Sequence, residues 1–261
     1  MTEAAAVPVV NLPGDVPMPM IGFGTWLLRG KAGREALRAA LDAGYRHIDT
    51  ATMYGNESDV GHVLASSGLA RDEVFVTTKL PSGKAGRERA TLAASLRALG
   101  TGYVDLWLVH WPPPDKMLIP VWREFLALRD EGRARAVGVS NYSLAQIDRL
   151  IRATGEAPAV NQITWSPGRY DAALLAGHAE RGVAVEGYSP LKRTNLANPV
   201  LAEIAAAHGA TAAQVVLRWH LELGVTVLVK SAQPERIAAN IGAMRFSLSA
   251  AEVERINALA R

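Results

Sequence analysis

A regular alternation between short apolar stretches and longer stretches of helical character is the feature that most constrains the fold of this chain. Eight short stretches, rich in β-branched residues, end in polar ones: MIGFGTW, HIDT, VFVTTK, VDLWLVH, AVGVSN, AVNQI, VAVEGYS and VTVLVKS. Between them, apolar residues recur at three- and four-residue spacing, as in 32–43, 87–99, 144–153 and 213–223, which is typical of amphipathic helices. Alternating strands and helices form a parallel sheet. The pattern therefore predicts a (β/α)8 TIM barrel, with an open doubly wound sheet as the structural alternative.

Both ends of the chain add an element to this barrel. Near the start, 9–12 and 17–21 flank Pro13-Gly14-Asp15, a sequence typical of a turn,, which predicts an N-terminal β-hairpin. Near the end, 250–260 predict an extra C-terminal helix. One barrel of this kind takes about 250 residues. Because no change of composition marks a linker, we expect a single domain over 1–261.

Composition and charge argue against several classes of function. The formal net charge is +3 and the basic residues are scattered, so we expect no nucleic-acid or membrane partner. There is no cysteine, which excludes disulfides and thiol nucleophiles, and the six histidines show no close pairing, so no metal is expected,. The start, MTEAAAVPVVNL, lacks the pattern of a signal peptide,. We expect a cytoplasmic monomer.

Polar side chains stand at the C-terminal ends of the apolar stretches. They are Asp49, Lys79, His110, Ser140 with Asn141, Gln162, Tyr188, and Lys230 with Ser231. In a barrel of parallel strands these ends meet at one face, where active sites form. Exposed loops alone would explain polarity there, but they explain less well a lysine, a histidine and a tyrosine that directly continue buried strands. The sequence therefore predicts a functional site at this face.

The most specific motif spans residues 44–57, GYRHIDTATMYGNE. It is similar to the signature GYRHIDTAxxYxNE of the aldo-keto reductase family. Four further blocks match that family in order: Thr78-Lys79, Leu108-Val109-His110-Trp111-Pro112, Gly138-Val139-Ser140-Asn141, and Lys230-Ser231 with Arg236 and Asn240. The chain thus resembles this family, in particular its bacterial 2,5-diketo-gluconate-reductase-like members. The resemblance implies an enzyme that transfers a hydride between NADPH and a small aldehyde or ketone.

The resemblance also implies a catalytic tetrad of Asp49, Tyr54, Lys79 and His110. Hydride attack makes a carbonyl oxygen negative, so a proton donor must stand beside it. A tyrosine with a pKa of about 10 is a reluctant donor, and the Lys79 ammonium would lower that pKa. Asp49 would keep Lys79 charged, and His110 would hydrogen-bond the carbonyl and orient it.

Taken singly, each of these residues has a simpler interpretation. Asp49 would cap a helix that begins near Asn56, and Tyr54 would be a half-buried aromatic. Lys79 would be solvated, and His110 would be a hydrogen-bonded core histidine. The context of the signature favours the catalytic interpretation of all four.

NADPH is the cofactor that the resemblance implies. Its expected ligands are Ser140, Asn141 and Gln162 at the nicotinamide carboxamide, Tyr188 under the nicotinamide ring, Ser189 and Leu191 in the loop that follows, Lys230, Ser231 and Arg236 at the 2′-phosphate, and Asn240 at the adenine. Arginine suits a phosphate because its donors lie in one plane. The alternative for Arg236 and Asn240 is a solvated helix face.

Aromatic residues near the predicted barrel mouth point to the substrate. Trp26, Trp111 and Trp165 are expected to line its site and to favour hydrophobic or ring-bearing compounds. Lys192 follows Leu191 where the family usually has a glycine-containing loop over the cofactor, which predicts faster NADPH release unless Lys192 or its neighbour holds the pyrophosphate. The C-terminal tail that shapes the pocket in many relatives is not expected here. We therefore expect several unrelated small carbonyl compounds to react, each with high KM.

Two functions other than that of an aldo-keto reductase are also compatible with the fold pattern. The first is a nicotinamide-binding regulatory or structural subunit, since a fold does not fix an activity; a complete tetrad argues against it. The second is another dehydrogenase on an open sheet. Tyr188 and Lys192 have the Tyr-x-x-x-Lys spacing of short-chain dehydrogenases, but Pro190 disfavours the helix on which that pair would sit.

Overall fold

The computed structural model describes residues 7–260. The first six residues, where no signal peptide is expected, and Arg261 at the end of the predicted domain lie outside the described residues. The strands are β1 (Val9–Leu12), β2 (Val16–Pro19), β3 (Ile21–Gly24), β4 (His47–Asp49), β5 (Phe75–Leu80), β6 (Val104–Val109), β7 (Ala134–Ser140), β8 (Val160–Thr164), β9 (Ala184–Tyr188) and β10 (Thr226–Val229). The α-helices are α1 (Gly30–Asp42), α2 (Glu57–Ala65), α3 (Glu88–Leu99), α4 (Leu118–Asp130), α5 (Leu144–Thr154), α6 (Ala172–Ala179), α7 (Pro199–Ala207), α8 (Ala212–Glu222), α9 (Pro234–Ile241) and α10 (Ala250–Asn257).

The predicted (β/α)8 barrel is confirmed. Eight parallel strands, β3 to β10, pair in chain order, and β10 closes the barrel by pairing with β3. Each of the eight apolar stretches supplies one of them, so the alternative of an open sheet is wrong. The helices lie outside, where their apolar sides pack on the strands; the Trp107 ring of β6, for example, stacks on Phe125 of α4 at 3.8 Å.

The N-terminal hairpin is also confirmed, with shifted bounds. β1 and β2 are antiparallel and pair Leu12 with Val16. The second hairpin strand therefore begins earlier than the predicted residue 17, and Ile21 belongs to the first barrel strand instead. Fully buried Met18 packs with Leu12 against apolar residues inside the barrel. The hairpin thus closes the N-terminal end of the barrel and leaves the C-terminal end for a site.

Helix ends follow from local sequence. α5 begins at a capping box, in which the Ser143 side chain accepts from the Gln146 backbone N–H and the Gln146 side chain accepts from the Ser143 N–H,. It ends at Gly155, whose φ of 78° is the left-handed conformation that glycine adopts without strain,. The predicted C-terminal helix is present as α10 and starts at a similar box with Ser249 and Glu252.

Within residues 7–260, no single helix is long and apolar enough to cross a membrane. The pair α7 and α8 meets the length and composition test only when the two are taken together, and they are bent by 85° relative to each other.

Candidate active site

A cavity of about 590 Å³ opens where the C-terminal ends of the barrel strands meet. Its wall contains most of the residues that the sequence predicts for the site: Trp26, Asp49, Tyr54, His110, Trp111, Ser140, Asn141, Gln162, Tyr188, Ser189, Leu191 and Lys230. The parallel register accounts for this, since it sets Ser140 beside Gln162. Another cavity of about the same volume lies between α3 and α4 and contains none of these residues.

Lys79 of β5 is the centre of a buried polar group beneath this cavity. Its side chain is fully buried, which rules out the solvated position. The Nζ atom lies 2.7 Å from Oδ1 and 2.6 Å from Oδ2 of Asp49, and it donates to the Thr50 carbonyl at 2.8 Å. The Tyr54 hydroxyl lies 3.5 Å from the same Nζ. The structure thus brings three of the four predicted tetrad residues into one connected group.

The turn between β4 and α2 positions Tyr54. Asn56, and not Asp49, precedes the first residue of α2, so the interpretation of Asp49 as a helix cap is wrong. The Asn56 side chain accepts from the Thr50 hydroxyl and donates to two backbone carbonyls in the loop after β3. Tyr54 ends a single 3-10 turn at Gly55, which has a φ of 65°. This network fixes the Tyr54 backbone beside the cavity.

The charges in this group keep Lys79 protonated. Burial alone would lower the pKa of Lys79, but the paired Asp49 carboxylate raises it above its usual value. The pKa of Tyr54 is also raised, because burial outweighs the lowering effect of Lys79. The sequence predicts that Lys79 lowers the pKa of Tyr54. It does not predict that burial outweighs this effect and raises the pKa overall. Tyr54 therefore carries its proton at neutral pH.

His110 follows β6 and faces Tyr54 edge to face, with ring centroids 5.7 Å apart. Burial and the nearby Lys79 ammonium lower the pKa of His110 to about 4, so the ring is neutral at physiological pH. Its Nδ1 is buried and has no hydrogen-bond partner among the described residues. A neutral imidazole carries one N–H, which a polar group in the cavity can accept.

Amide and hydroxyl groups form the floor of the cavity. The Nε2 of Gln162 donates to Asp49 Oδ2 at 2.9 Å and to Glu186 Oε2 at 2.6 Å. Asn141 has a φ of 63°, which asparagine tolerates better than most residues, and its Nδ2 donates to Ser140 Oγ at 2.9 Å. Its Oδ1 accepts from the Tyr188 hydroxyl at 2.9 Å. These bonds hold the Tyr188 ring at the cavity wall.

Sequence reasoning misses two residues of this network. Glu186 of β9 and His47 of β4 are both fully buried, and the His47 Nε2 lies 3.4 Å from Glu186 Oε1. Burial and the neighbouring Asp49 charge raise the pKa of Glu186 to about 8. The available signal was a glutamate inside the apolar stretch VAVEGYS, two residues before Tyr188 and hence on the same side of the strand.

Three predicted cofactor residues lie outside the cavity wall. Ser231 is buried, and its hydroxyl accepts from the backbone N–H of Gln233 at 3.0 Å, just before α9. Arg236 is exposed and Asn240 is half-buried on α9 itself. Lys230, exposed at the end of β10, lines the cavity and leads from it toward this helix.

The tryptophans divide between the cavity and the core. Trp26 is 59% exposed and Trp111 is 49% exposed, and both line the cavity mouth. Trp165 is fully buried, and its ring packs against Tyr170 with centroids 6.0 Å apart. The prediction that Trp165 lines the substrate site is wrong, because the residue follows the end of β8 with its side chain in the cluster that also contains Trp219 of α8.

Within residues 7–260, no group of three or more His, Cys, Asp or Glu residues is arranged to hold a metal ion.

The sequence is similar to a protein family and to individual known proteins. Residues 20–261 match the sequence profile described as the Aldo/keto reductase family. An aldo-keto reductase of Mycolicibacterium smegmatis is 42% identical over 98% of this chain and 92% of its own length. The 2,5-diketo-D-gluconic acid reductase B of a Corynebacterium species is 41% identical over 98% of this chain and 94% of its own length.

Solved structures agree with these relatives. An aldo/keto reductase from Brucella melitensis superposes with a TM-score of 0.94 at 40% identity, over 97% of this chain and 100% of that one. The Bombyx mori aldo-keto reductase, solved in complex with NADP, gives a TM-score of 0.90 at 33% identity, over 98% of this chain and 94% of that one. Because profile, relatives and structures all span nearly the whole barrel, the chain belongs to the aldo/keto reductase family, whose members are NADP-dependent carbonyl oxidoreductases.

Proposed function

We propose that this enzyme transfers a hydride between NADPH and small aldehydes or ketones, with Tyr54 as the general acid. The observation that carries the proposal is the continuous group of Asp49, Lys79 and Tyr54, which reaches the cavity beside a neutral His110. A protein that only bound a nicotinamide would need no buried ammonium next to a tyrosine hydroxyl. Consumption of NADPH in the presence of a small carbonyl compound separates the two functions.

The residues of the cavity fit NADPH at its nicotinamide end. Both hydrogens of the Gln162 amide are used inside the protein, which leaves its Oε1 for the cavity that the residue lines. That oxygen would accept from the carboxamide, together with groups of Ser140 and Asn141. The Tyr188 ring would pack against the flat nicotinamide, and Ser189 would continue that wall. Bound there, NADPH supplies the hydride.

The other end of the cofactor would lie beyond Lys230. We propose that Lys230, Ser231 and Arg236 hold the 2′-phosphate, since charge-assisted bonds to phosphate are the stronger kind. Asn240, farther along α9, would reach the adenine, and Leu191 would pack between the two ends. The exposure of Lys230 and Arg236 leaves both side chains accessible to such a ligand.

The proton transfer follows from the charges around Tyr54. As the carbonyl oxygen becomes negative, Tyr54 Oη gives its proton to that oxygen. The phenolate that remains is stabilised by the Lys79 ammonium 3.5 Å away,. Asp49 keeps this ammonium charged and oriented through its own 2.6 Å contact. In the reverse reaction Tyr54 takes the proton from the alcohol.

His110 and the mouth of the cavity would place the substrate. A neutral His110 can donate one hydrogen bond to the carbonyl oxygen without competing with Tyr54 as an acid. Trp26, Trp111 and Met53 expose apolar surface at the mouth. Clustered exposed aromatic and apolar side chains favour hydrophobic ligands, so we propose small carbonyl compounds with an apolar part.

Lys230→Met should reveal the choice of cofactor. The variant should raise the Kd of NADPH roughly 10- to 150-fold, because a charge-assisted bond is worth ~1.5–3 kcal/mol. The Kd of NADH, which lacks the 2′-phosphate, should change less than about twofold. Fluorescence titration of both cofactors measures this, with Lys31→Met as a matched control on the exposed side of α1. Equal weakening of both cofactors would show that Lys230 does not bind the 2′-phosphate.

We further propose that the chain acts as one barrel domain, as a monomer in the cytoplasm, without a nucleic-acid or membrane partner. Its low net charge of +3, the scatter of its basic residues and its lack of cysteine support this,.

A further inference from the structure

Glu186 is a buried acid in the barrel interior that the proposed reaction does not use. Its side chain is fully buried on β9. Its Oε2 accepts from Gln162 Nε2 at 2.6 Å, and its Oε1 lies 3.4 Å from His47 Nε2. An ionised acid buried there would be costly without a paired cation, which favours the protonated form of Glu186.

The hydrogen bonds of His47 indicate where the proton lies. Its Nδ1 is 3.0 Å from the Pro19 carbonyl, which can only accept, so Nδ1 carries a hydrogen,. In the neutral ring Nε2 is then an acceptor, which suits a donated bond from Thr77 Oγ1 at 3.2 Å. That bond occupies the one lone pair of Nε2, and Glu186 Oε1, 3.4 Å from Nε2, has no hydrogen-bond partner among the described residues,. A neutral His47 therefore supplies no cation to pair with a Glu186 carboxylate. Burial lowers the pKa of His47, while burial and Asp49 raise that of Glu186 to about 8, which also favours a neutral carboxyl.

A neutral Glu186 keeps the charges around the site balanced. Lys79 and Asp49 form one ion pair in the same interior, and a second carboxylate there would leave a net negative charge away from water. The neutral carboxyl still offers its carbonyl oxygen to Gln162. Glu186 can therefore serve as a hydrogen-bond acceptor without disturbing the pair on which Tyr54 depends.

The effect of this contact falls on Gln162. One amide hydrogen of Gln162 is held by Asp49 and the other by Glu186. With both held, the side chain cannot exchange its nitrogen for its oxygen at the cavity wall. Without Glu186 the amide would have one anchor, and its Oε1 would no longer be fixed toward the cavity.

We propose that Glu186 is a positioning residue for the nicotinamide end of the cofactor, and that it acts by fixing the amide of Gln162. The inference rests on the proposed function, because it takes Gln162 as a ligand of the carboxamide. Glu186 itself touches neither substrate nor cofactor in this account.

Glu186→Met tests the proposal, since methionine keeps the unbranched chain and removes the acceptor. The Kd of NADPH should rise about tenfold, the equivalent of one ordinary hydrogen bond. The Kd of adenosine 2′,5′-bisphosphate, which has no nicotinamide, should stay within about twofold of its wild-type value. Titration calorimetry measures both ligands on the same preparation. A merely structural role would weaken the two ligands together, and that result would overturn the proposal.

Glu186→Gln should restore most of the NADPH affinity relative to the methionine variant. A glutamine oxygen can accept from Gln162 Nε2 as Glu186 Oε2 does. Thr226→Val is a matched control, because Thr226 is the register partner of Glu186 on β10 and its buried hydroxyl has no partner among the described residues. It should change neither Kd.

Two further outcomes are decisive. If Glu186→Met leaves the NADPH affinity unchanged, or if Glu186→Gln lowers the NADPH affinity as much as Glu186→Met does, the proposal is wrong.

If the Glu186→Met variant fails to fold, the same two titrations are made with Glu186→Ala. If the wild-type protein binds NADPH but reduces no carbonyl compound, the proposed function fails, while the two Kd values still decide the role of Glu186.

Discussion

Tyr54→Phe is expected to lower kcat for carbonyl reduction by about 10²- to 10⁴-fold, the range that general acids contribute. Phenylalanine keeps the ring that faces His110 and removes only the hydroxyl. That hydroxyl has one long contact, 3.5 Å to Lys79, so its loss should leave the fold intact. The Kd of NADPH should change less than about twofold, because the proton is needed only as charge develops in the transition state.

Single-turnover mixing of the preformed NADPH complex with substrate separates these two effects. Tyr103→Phe, whose ring packs against Arg71 away from the cavity, is the matched control and should retain full activity. The pH dependence of kcat for reduction tests the same role of Tyr54. Reduction requires protonated Tyr54, so kcat should fall as the pH rises through the Tyr54 pKa, which burial keeps above its usual value. Turnover of Tyr54→Phe near the wild-type rate would remove Tyr54 from the mechanism.

Lys79→Met should lower both kcat and the free energy of unfolding. The substitution removes the ammonium that stabilises the Tyr54 phenolate, and kcat should fall on a scale similar to that of Tyr54→Phe. It also leaves Asp49 buried, with the Gln162 amide as its one remaining side-chain partner within residues 7–260. Breaking a buried ion pair costs about 3–5 kcal/mol of unfolding free energy, which urea denaturation can measure.

The double variant Asp49→Asn with Lys79→Met separates the two losses. It removes both charges of the pair, so no uncompensated ion remains, and much of the stability should return. Activity should not return, because no cation is left beside Tyr54. A Lys79→Met variant as stable as the wild-type protein would contradict the assignment of a buried ion pair. Recovery of activity in the double variant would contradict the role of Lys79 in the proton transfer.

The barrel was predictable because strand and helix patterns differ in period, and every barrel strand here has its own apolar stretch. The placement of the predicted site followed from topology, since parallel strands bring Asp49, Lys79 and His110 to one end of the barrel whatever the details of packing. The signature added Tyr54, which lies in a short turn that no periodicity marks. These features depend on local sequence, and one chain is enough to show them.

Other features depend on the packed interior and were not accessible. Whether Trp165 faces the cavity or the core depends on how the chain turns after β8, and the packing with Tyr170 and α8 decides it. The raised pKa of Tyr54 comes from burial, whereas the sequence reveals only the neighbouring ammonium. The raised pKa of Glu186 likewise comes from burial in the packed interior and from the neighbouring Asp49 charge, which lies on another strand.

Hydride transfer to a carbonyl compound with Tyr54 as the acid is tested by comparing the NADPH oxidised with the alcohol formed. The wild-type protein and Tyr54→Phe are each incubated with NADPH and a set of small aldehydes and ketones, while the near-ultraviolet absorbance of NADPH and the alcohol formed are both measured. We expect one alcohol for each NADPH oxidised by the wild-type protein with at least one of the carbonyl compounds, and almost none with Tyr54→Phe. NADPH that binds tightly but is not consumed with any of them, or alcohol formation that is equal in the two proteins, would contradict this expectation.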